Sequence, residues 1–343
     1  MPQVPGRPSR ATLTAIADLA GVSVATVSKV VNGRSDVAAA TRARVEQLLV
    51  AHGYIARGQG RDARGPVRAV ELTFDALVNP NDLMITDGVV QAAAEAGVDV
   101  VMTITPRDPL GAAWSRRVTQ AGRAGVILVT SEFTQQQHAH FAGAGIPVVL
   151  IDPMNTPDEE VPSIGATNFP GGMAATEHLV KLGHRRIAVI AGPPEATCSA
   201  ARLHGYQAAL GRAGITPDPV LIRTGSFTFK TGYQQAQELF ALPEPPTAVV
   251  AGNDGQAFGV IEAARVRGLR VPQDVSVVGF DDTDAAGTSA PPLTTVRQPF
   301  AAIGRAALHT LLQLADGEQL TSHRVELATQ LVVRESTAPP PGL

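Results

Sequence analysis

Between residues 12 and 32 the apolar positions Leu13, Ile16, Ala17 and Ala20, then Val22, Val27, Val30 and Val31, recur near helical spacing on either side of Gly21. The pattern predicts two short helices joined by a tight turn, a helix-turn-helix. Gly21 can take the left-handed conformation such a turn needs, Ala17 lets the helices cross closely, and Ser23 is placed to cap the second helix. On that second helix Val24, Ala25, Thr26, Ser28, Lys29 and Asn32 lie away from the valine stripe, on the side that would enter a DNA major groove. Short helix pairs with a glycine turn also occur in ordinary helical cores, so the pattern alone leaves both readings open.

From about residue 67 the pattern becomes one of short apolar runs alternating with amphipathic segments, which predicts parallel strands covered by helices on both faces. VRAVELTF, VDVVMTIT, GVILVT and PVVLID read as strands, with helices near 83–96, 112–123 and 134–144; together they predict a first α/β lobe. The pattern restarts with RIAVIAG, TAVVAG and DVSVVGF as strands and helices near 170–182, 200–213, 231–241 and 255–267. The strand Leu293–Val296 and a helix from Phe300 to about Ala315 are expected to return to the first lobe. The predicted fold class is therefore a small all-α helix-turn-helix headpiece followed by an α/β domain of two lobes, each a doubly wound parallel sheet. A cleft between such lobes is where a small ligand belongs.

Charge sharpens this picture. Residues 1–68 hold ten Lys and Arg against four Asp and Glu, a formal +6, while the remainder holds eighteen against twenty-seven, a formal −9. A basic head on an acidic body suggests a polyanionic partner for the head. At 343 residues and 44% hydrophobic, the chain can bury more than one core. The single cysteine, Cys198, excludes an intramolecular disulfide and a cysteine-rich zinc site, and fits a reducing cytosol. No run approaches the roughly 18 apolar residues of a membrane span. The start, MPQVPGRPSR, lacks the apolar core of a signal peptide and reads as a disordered basic arm, so a cytoplasmic, nucleoid-associated location is expected.

Polar residues cluster at the carboxyl ends of the predicted strands. Asp152 closes PVVLID, Asn253 and Asp254 follow TAVVAG, Asp281 and Asp282 follow DVSVVGF, and Arg202 opens the helix after RIAVIAG. Such a set suits a polyhydroxylated ligand: carboxylates and amides pair with vicinal hydroxyls, and a guanidinium supplies paired donors. Phe227, in GSFTFKTG, offers a flat face for a sugar ring. Each has a plainer reading too, Asp254 and Asp282 as helix caps, Phe227 as lobe filling and Arg202 as a stabilising ion pair.

The run AGVSVATVSKVVNGRSDVAAATRARVEQLLVAHGYI resembles the headpiece of the lactose repressor (LacI)/purine repressor family of bacterial regulators. LVKLGHRRIAVIAGP, ARLHGYQAAL, AGNDGQAFGVIEAARVRGLRVPQDVSVVGFDD and PPLTTVRQPFAAIGRAA are similar to later parts of that family, in order. The resemblance implies a ligand-responsive transcription regulator, usually a repressor, with a C-terminal domain of periplasmic-binding-protein type. The implied organisation is a basic arm over 1–10, a headpiece over 11–56, a hinge over 57–68, an effector and dimerisation domain over 69–335 and a tail over 336–343. Lobe 1 covers about 69–165 and 297–328, and lobe 2 about 166–296 and 329–335.

Matched residue by residue, the resemblance gives Val24, Ala25 and Lys29 to base edges, and the residue chemistry gives Ser23, Thr26, Ser28, Asn32 and Thr12 to phosphates. It gives Asp152, Arg202, Phe227, Asn253 and Asp281 to the effector, with Asp75 a weaker match. The hinge departs from the family: ARGQGRDARGP carries three glycines and Ala63 where a leucine wedge is usual, so Arg57, Arg61, Arg64 and Arg68 are expected to follow a minor groove electrostatically. Ala38 stands where a serine usually caps the third headpiece helix, with Thr41 and Asp36 as possible compensation. The expected partners are pseudo-palindromic operator DNA, a small effector and a second copy of the chain, with no leucine heptads for a tetramer. A sugar effector is favoured, and a purine or nucleoside acting as corepressor is the alternative.

Other chemistry finds little support. His138, His140, His178 and His184 lack a supporting cluster at metal-ligand spacing and read as solvated, with a helix-end role for His184. The glycines of RGQGRDARG do not lie between a strand and a helix, and no P-loop or nucleophile elbow occurs. No metal, no cofactor and no enzyme activity are expected.

Overall fold

The computed structural model describes residues 13–31, 34, 37–51, 68–77, 79–104 and 112–342. The chain forms two units, Met1–Val67 and Arg68–Leu343.

In the first unit α1 (Leu13–Ala20), α2 (Val24–Val31) and α3 (Ala39–Ala51) share a core of Ile16, Ala17, Ala20, Val27, Val30, Val45 and Leu49. The turn after α1 is a Schellman closure: Val22 N–H donates to the Ala17 carbonyl (3.1 Å), Gly21 N–H donates to Asp18 (3.2 Å), and Gly21 sits at φ 64°. The chain bends by 107° from α1 to α2, the crossing of a helix-turn-helix. Ser23 Oγ accepts the Thr26 N–H (3.1 Å), as its capping role requires. Ala38 offers α3 only its carbonyl, which accepts the Arg42 N–H.

The second unit contains two six-stranded sheets. The first is built from β1 (Ala69–Phe74), β2 (Asp99–Ile104), β3 (Arg123–Val129), β4 (Val148–Ile151), β5 (Ser163–Ala166) and β11 (Arg324–Leu327), in the order β11-β5-β4-β3-β1-β2 and all parallel. Helices α4 (Pro80–Ala96) and α12 (Phe300–Ala315) cover one face, and α5 (Ala112–Gln120) and α6 (Gln135–Gly143) cover the other.

The second sheet is built from β6 (Ile187–Ile190), β7 (Ile222–Arg223), β8 (Ala248–Ala251), β9 (Ser276–Asp281), β10 (Thr294–Arg297) and β12 (Gln330–Val332), in the order β12-β10-β9-β8-β6-β7. Helices α7 (Asn168–Lys181) and α8 (Thr197–Arg212) pack on one face, α9 (Phe229–Leu239) and α10 (Asp254–Val266) on the other, and α11 (Asp284–Thr288) follows β9. Strands β1, β3, β4, β6, β8 and β9 are the apolar runs of the sequence, while β5, β7, β11 and β12 are short and polar and owe their form to pairing.

Two expectations need correction. The strand near Leu293–Val296, read from the strand pattern as returning to the first lobe, lies in the second sheet, parallel to β9 and antiparallel to β12, in line with the lobe 2 span of about 166–296; only the helix after it returns to the first lobe. The sheets are accordingly mostly, not wholly, parallel. Three crossings join the lobes, β5 to α7, β10 to α12 and β11 to β12. Thr167 and Thr329 tie the first to the third, with their hydroxyls 3.0 Å apart.

Three helix pairs, α4/α12, α7/α8 and α9/α10, are joined in the same way. Each helix places a glycine against the partner's backbone: Gly88 with Gly304, Gly172 with Gly205, and Gly232 with Gly259. A Cβ at any of these six would collide with main-chain atoms. The close approach positions the site, because the backbone facing Gly172 is that of Arg202 and the backbone facing Gly232 is that of Gln256.

The histidine reading also changes. His184 is buried, with Nδ1 at 2.9 Å from the Thr247 hydroxyl and Nε2 at 2.9 Å from the Ala338 carbonyl, so it is neither solvated nor a simple cap. A carbonyl can only accept, so Nε2 carries the proton and Nδ1 accepts from Thr247. His178 Nε2 meets Thr337, and Ser336 is fully buried between Thr294 and Val277. The start of the 336–343 segment is thus stitched to lobe 2. Among the described residues no group of three or more His, Cys, Asp or Glu is placed to hold a metal, and no single helix is long and apolar enough to cross a membrane.

Candidate functional site

In the headpiece, α2 buries Val27 and Val30 and turns Val24, Ala25 and Lys29 outward; Val24 is 42% exposed. An apolar side chain held on the open face of a second helix is suited to a thymine methyl, and Lys29 beside it to guanine acceptors. Thr26 and Ser28 flank this face at intermediate exposure, and Ser23 at its start is exposed. Thr12, Asn32, Asp36, Arg57, Arg61 and Arg64 lie outside the described residues. Arg68, read with the hinge, pairs with Asp316 (2.6 Å) and keeps its side chain partly exposed.

In the second unit the carboxyl ends of the strands of both sheets face a shared cleft, the usual place for a small ligand in open α/β sheets. Asp152 follows β4, Asp281 ends β9, Asn253 follows β8, Arg202 rises from the first turns of α8, and Phe227 lies in the loop before α9; all five line the cleft. Four non-glycine residues have positive φ among the described residues, and three of them, Thr130 (49°), Asp152 (43°) and Asp281 (123°), line this space. Backbone strain concentrated there marks a site whose geometry is held by its surroundings.

Arg202 is fixed on three sides. Its Nε donates to Asn168 Oδ1 (2.8 Å), its Nη1 donates to the Gly252 carbonyl (2.6 Å), and its guanidinium stacks 3.8 Å over the Phe280 ring. Phe227 lies against Gly192, where any Cβ would strike the ring, and 5.6 Å from the Arg202 guanidinium carbon. Asn253 caps α10, accepting the Gln256 N–H at Oδ1 (2.8 Å) and donating to the Phe227 carbonyl (3.3 Å). Asp281 accepts from Asn81 Nδ2 of α4 (2.9 Å) and from Gln298 Nε2 (2.7 Å), so one lobe donates to the other across the cleft.

Burial pushes the Asp152 carboxyl up to about 6, with Arg202 pulling the other way and Asp281 adding to the rise. Burial likewise raises Asp281, opposed by Arg202 and by its two amide donors. Asp254, directly behind the cleft, is pushed up to about 7 by burial and by Asp281, although Thr295 and Thr283 donate to it. Such a carboxylate-rich, partly desolvated pocket favours a ligand that brings hydrogen-bond donors.

The segment 12–56 matches the model of bacterial regulatory proteins of the lacI family, and 176–337 matches the periplasmic binding protein-like domain. The HTH-type transcriptional regulator CelR of Thermobifida fusca is 34% identical over 96% of this chain and 99% of its own. This chain belongs to the LacI family. Among solved structures of LacI-family relatives, a CelR–cellobiose complex is similar at a TM-score of 0.72, with 34% identity over 95% of this chain and all of the other. A lac repressor dimer bound to operator and the anti-inducer ONPF is similar at a TM-score of 0.79, with 30% identity over 96% of this chain and all of the other. As a LacI-family member the protein is a DNA-binding transcription regulator.

Of the six effector residues expected from the sequence of this LacI-family chain, five come together, and Asp75 does not; it accepts the Ser131 hydroxyl (2.7 Å) beside β1. Asp254 is not a cap: its neighbour Asn253 takes that role, and Asp254 is buried under Thr283 and Thr295. Asp282 pairs with Arg297 and Arg334, each at 2.6 Å, fastening β10 and the end of β12 to the site. Sequence reasoning missed Asn79, Asn81, Thr130, Cys198, Gln298 and Phe300 in the lining. A signal for Asn79 and Asn81 existed, since NPND starts a helix with a capping residue, Pro at the first position and an acid at the third. None existed for Gln298, whose role depends on a crossing that only the fold reveals.

Proposed function

We propose that the protein represses genes of carbohydrate uptake or catabolism in the cytoplasm, and that a small sugar in the interlobe cleft releases it from its operator. The observation that carries this reading is the cleft itself: Asp152, Arg202, Asn253 and Asp281 around the apolar face of Phe227, a polar ring and flat floor suited to a pyranose or furanose. The solved complex of CelR with cellobiose supports it by similarity. The protein acts by binding alone, with Val24, Ala25 and Lys29 reading bases, Ser23, Thr26, Ser28, Thr12 and Asn32 holding phosphates, and Arg57, Arg61 and Arg64 following the minor groove.

One headpiece makes too few contacts for operator affinity, so the working species is a dimer on a pseudo-palindrome. Lobe 1 offers a surface for it: β2 is the edge strand of its sheet, and Leu83, Val90, Met102 and Ile104 on α4 and β2 are 69%, 45%, 44% and 54% exposed. The test is selection of operator DNA from a random pool by the full chain, followed by titration with pentoses, hexoses, disaccharides, purines and nucleosides. Release of the selected DNA by a sugar, lost in Arg202→Ala, is the expected result. Tightening by a purine or nucleoside would replace the sugar reading with that of a corepressor.

A further inference from the structure

The two amides that hold Asp281 each have an oxygen left over. A carboxylate can only accept, so the NH₂ groups of Asn81 and Gln298 must point at Asp281, and their carbonyl oxygens must point elsewhere. Both oxygens, Asn81 Oδ1 and Gln298 Oε1, are buried and have no hydrogen-bond partner, and Gln298 is only 3% exposed. Both residues line the cleft. A buried acceptor without a donor is costly, and because both side chains line the cleft, a ligand hydroxyl that reaches either oxygen as the side chains adjust would relieve that cost.

The charges around them narrow the ligand. Among the cleft-lining residues three are carboxylates, Asp82, Asp152 and Asp281, and one is a cation, Arg202. Two of the nitrogens of Arg202 already serve Asn168 and Gly252, and its face is on Phe280. The N-terminus of α4, which would otherwise attract an anion, is occupied by Asp82, whose Oδ2 accepts the Asn79 N–H (3.1 Å). The opposing positive elements are the remaining nitrogen of Arg202 and the first turn of α8, where Cys198 sits. A phosphate ester would meet three carboxylates with too few free donors to satisfy its oxygens.

We propose that Asn81 is a specificity-determining residue of this cleft: with Gln298 it presents unpaired carbonyl oxygens to the hydroxyl donors of an uncharged ligand, and the site turns away the phosphorylated form of the same compound. The proposal rests on the reading of the cleft as the effector site. It is particular to a lobe 1 residue reaching a lobe 2 carboxylate, so it also ties ligand selection to lobe closure.

The experiment measures the thermal midpoint of the full chain with ribose, glucose, maltose, cellobiose and adenosine, and with the phosphate esters of three of them: ribose 5-phosphate, glucose 6-phosphate and adenosine monophosphate. A neutral compound is expected to raise the midpoint and its ester to leave it unchanged. Asn81→Leu removes both donor and acceptor, and is expected to weaken the neutral ligand about tenfold or more. Asn81→Lys keeps a donor for Asp281 but removes the acceptor and one unit of net negative charge. It is expected to lose the neutral ligand and to gain measurable binding of the ester. A purely structural role would leave Asn81→Lys with wild-type preference, which would overturn the proposal. An ester that binds as well as its parent, with the shift lost in Arg202→Ala, overturns this proposal alone. A shift that survives Arg202→Ala, or no shift with any compound, overturns the effector-site reading and this proposal with it.

Discussion

Replacing Gly205 with alanine separates the geometry of the helix pairs from helix propensity, because α8 contains a second glycine with the opposite surroundings. A Cβ at 205 would stand 2.7 Å from the Met173 amide nitrogen and closer still to the Phe169 carbonyl oxygen, both of them main chain of α7. Neither atom can rotate away, so relief requires prying α7 from α8. Overpacking costs about 1–3 kcal/mol, and against main-chain atoms this close the upper part of that range, about 2–3 kcal/mol, applies. Alanine is the better helix former by about 1 kcal/mol, which offsets part of the cost and leaves a net loss of about 1–2 kcal/mol.

At Gly211, in the same helix, a Cβ meets nothing within 4 Å and the backbone φ is not positive. There only the propensity term acts, reduced by the nearness of the helix end, for a gain of about 0.5 kcal/mol. In scanning calorimetry of the full chain a unit of this size moves about 2 °C per kcal/mol. Gly205→Ala should therefore lower the transition by about 2–4 °C, and Gly211→Ala should raise it by about 1 °C. A Gly205→Ala protein that melts at or above the wild type would refute the close approach of α7 and α8, and with it the means by which Arg202 is positioned. A fall of equal size in both variants would refute the reasoning from local space.

Lys29→Ala should cost about 1–3 kcal/mol on selected operator DNA and little on scrambled DNA by fluorescence anisotropy; an equal loss on both would mean that Lys29 holds phosphate. His184 should titrate below 6.5, because burial holds its ring neutral and only its bond to Ala338 opposes this. The unfolded chain takes up that proton first as pH falls, so the contribution of His184 to stability is full above about 6.5 and is lost toward its folded pKa. An imidazole NMR midpoint at or above 6.5 would contradict the geometry. Leu83→Arg with Ile104→Arg should shift the sedimentation of the full chain toward a monomer; an unchanged dimer would move the interface elsewhere on the molecule.

The sheets were legible because buried parallel strands are written as apolar runs, such as VVLI in β4 and AVVA in β8, whose residues are buried throughout. The helix-turn-helix was legible for a similar reason, its core residues Ile16, Ala17, Ala20, Val27 and Val30 being the ones the spacing selects. Strands β5, β11 and β12 were not, because SIGA, RVEL and QLV carry no run of their own and take strand form only against a neighbour already in place. In the cleft, residues at strand ends could be read from position alone. Asn81 could not, because its partner Asp281 is 200 residues away, nor could the burial of His184, whose acceptor Ala338 lies 154 residues on.

The same long-range contacts define what a switch in this molecule must exchange. The lobes are held by their three crossings and by hydrogen bonds across the cleft, Asn81 to Asp281 and the Thr197 hydroxyl to the Pro153 carbonyl (2.8 Å). A ligand bound only to lobe 2 would stabilise open and closed arrangements alike, and would shift nothing however tightly it bound. One that also engages Asn81 gains affinity only when α4 is brought up to Asp281, and that difference is the free energy available for switching. Each further lobe 1 contact, at Asp152 or Thr130, adds to it. The backbones at those positions, positive in φ at the ends of β3 and β4, bring Thr130 and Asp152 into the same cleft as Arg202 and Asp281, so a ligand that touched all four would bridge the two lobes.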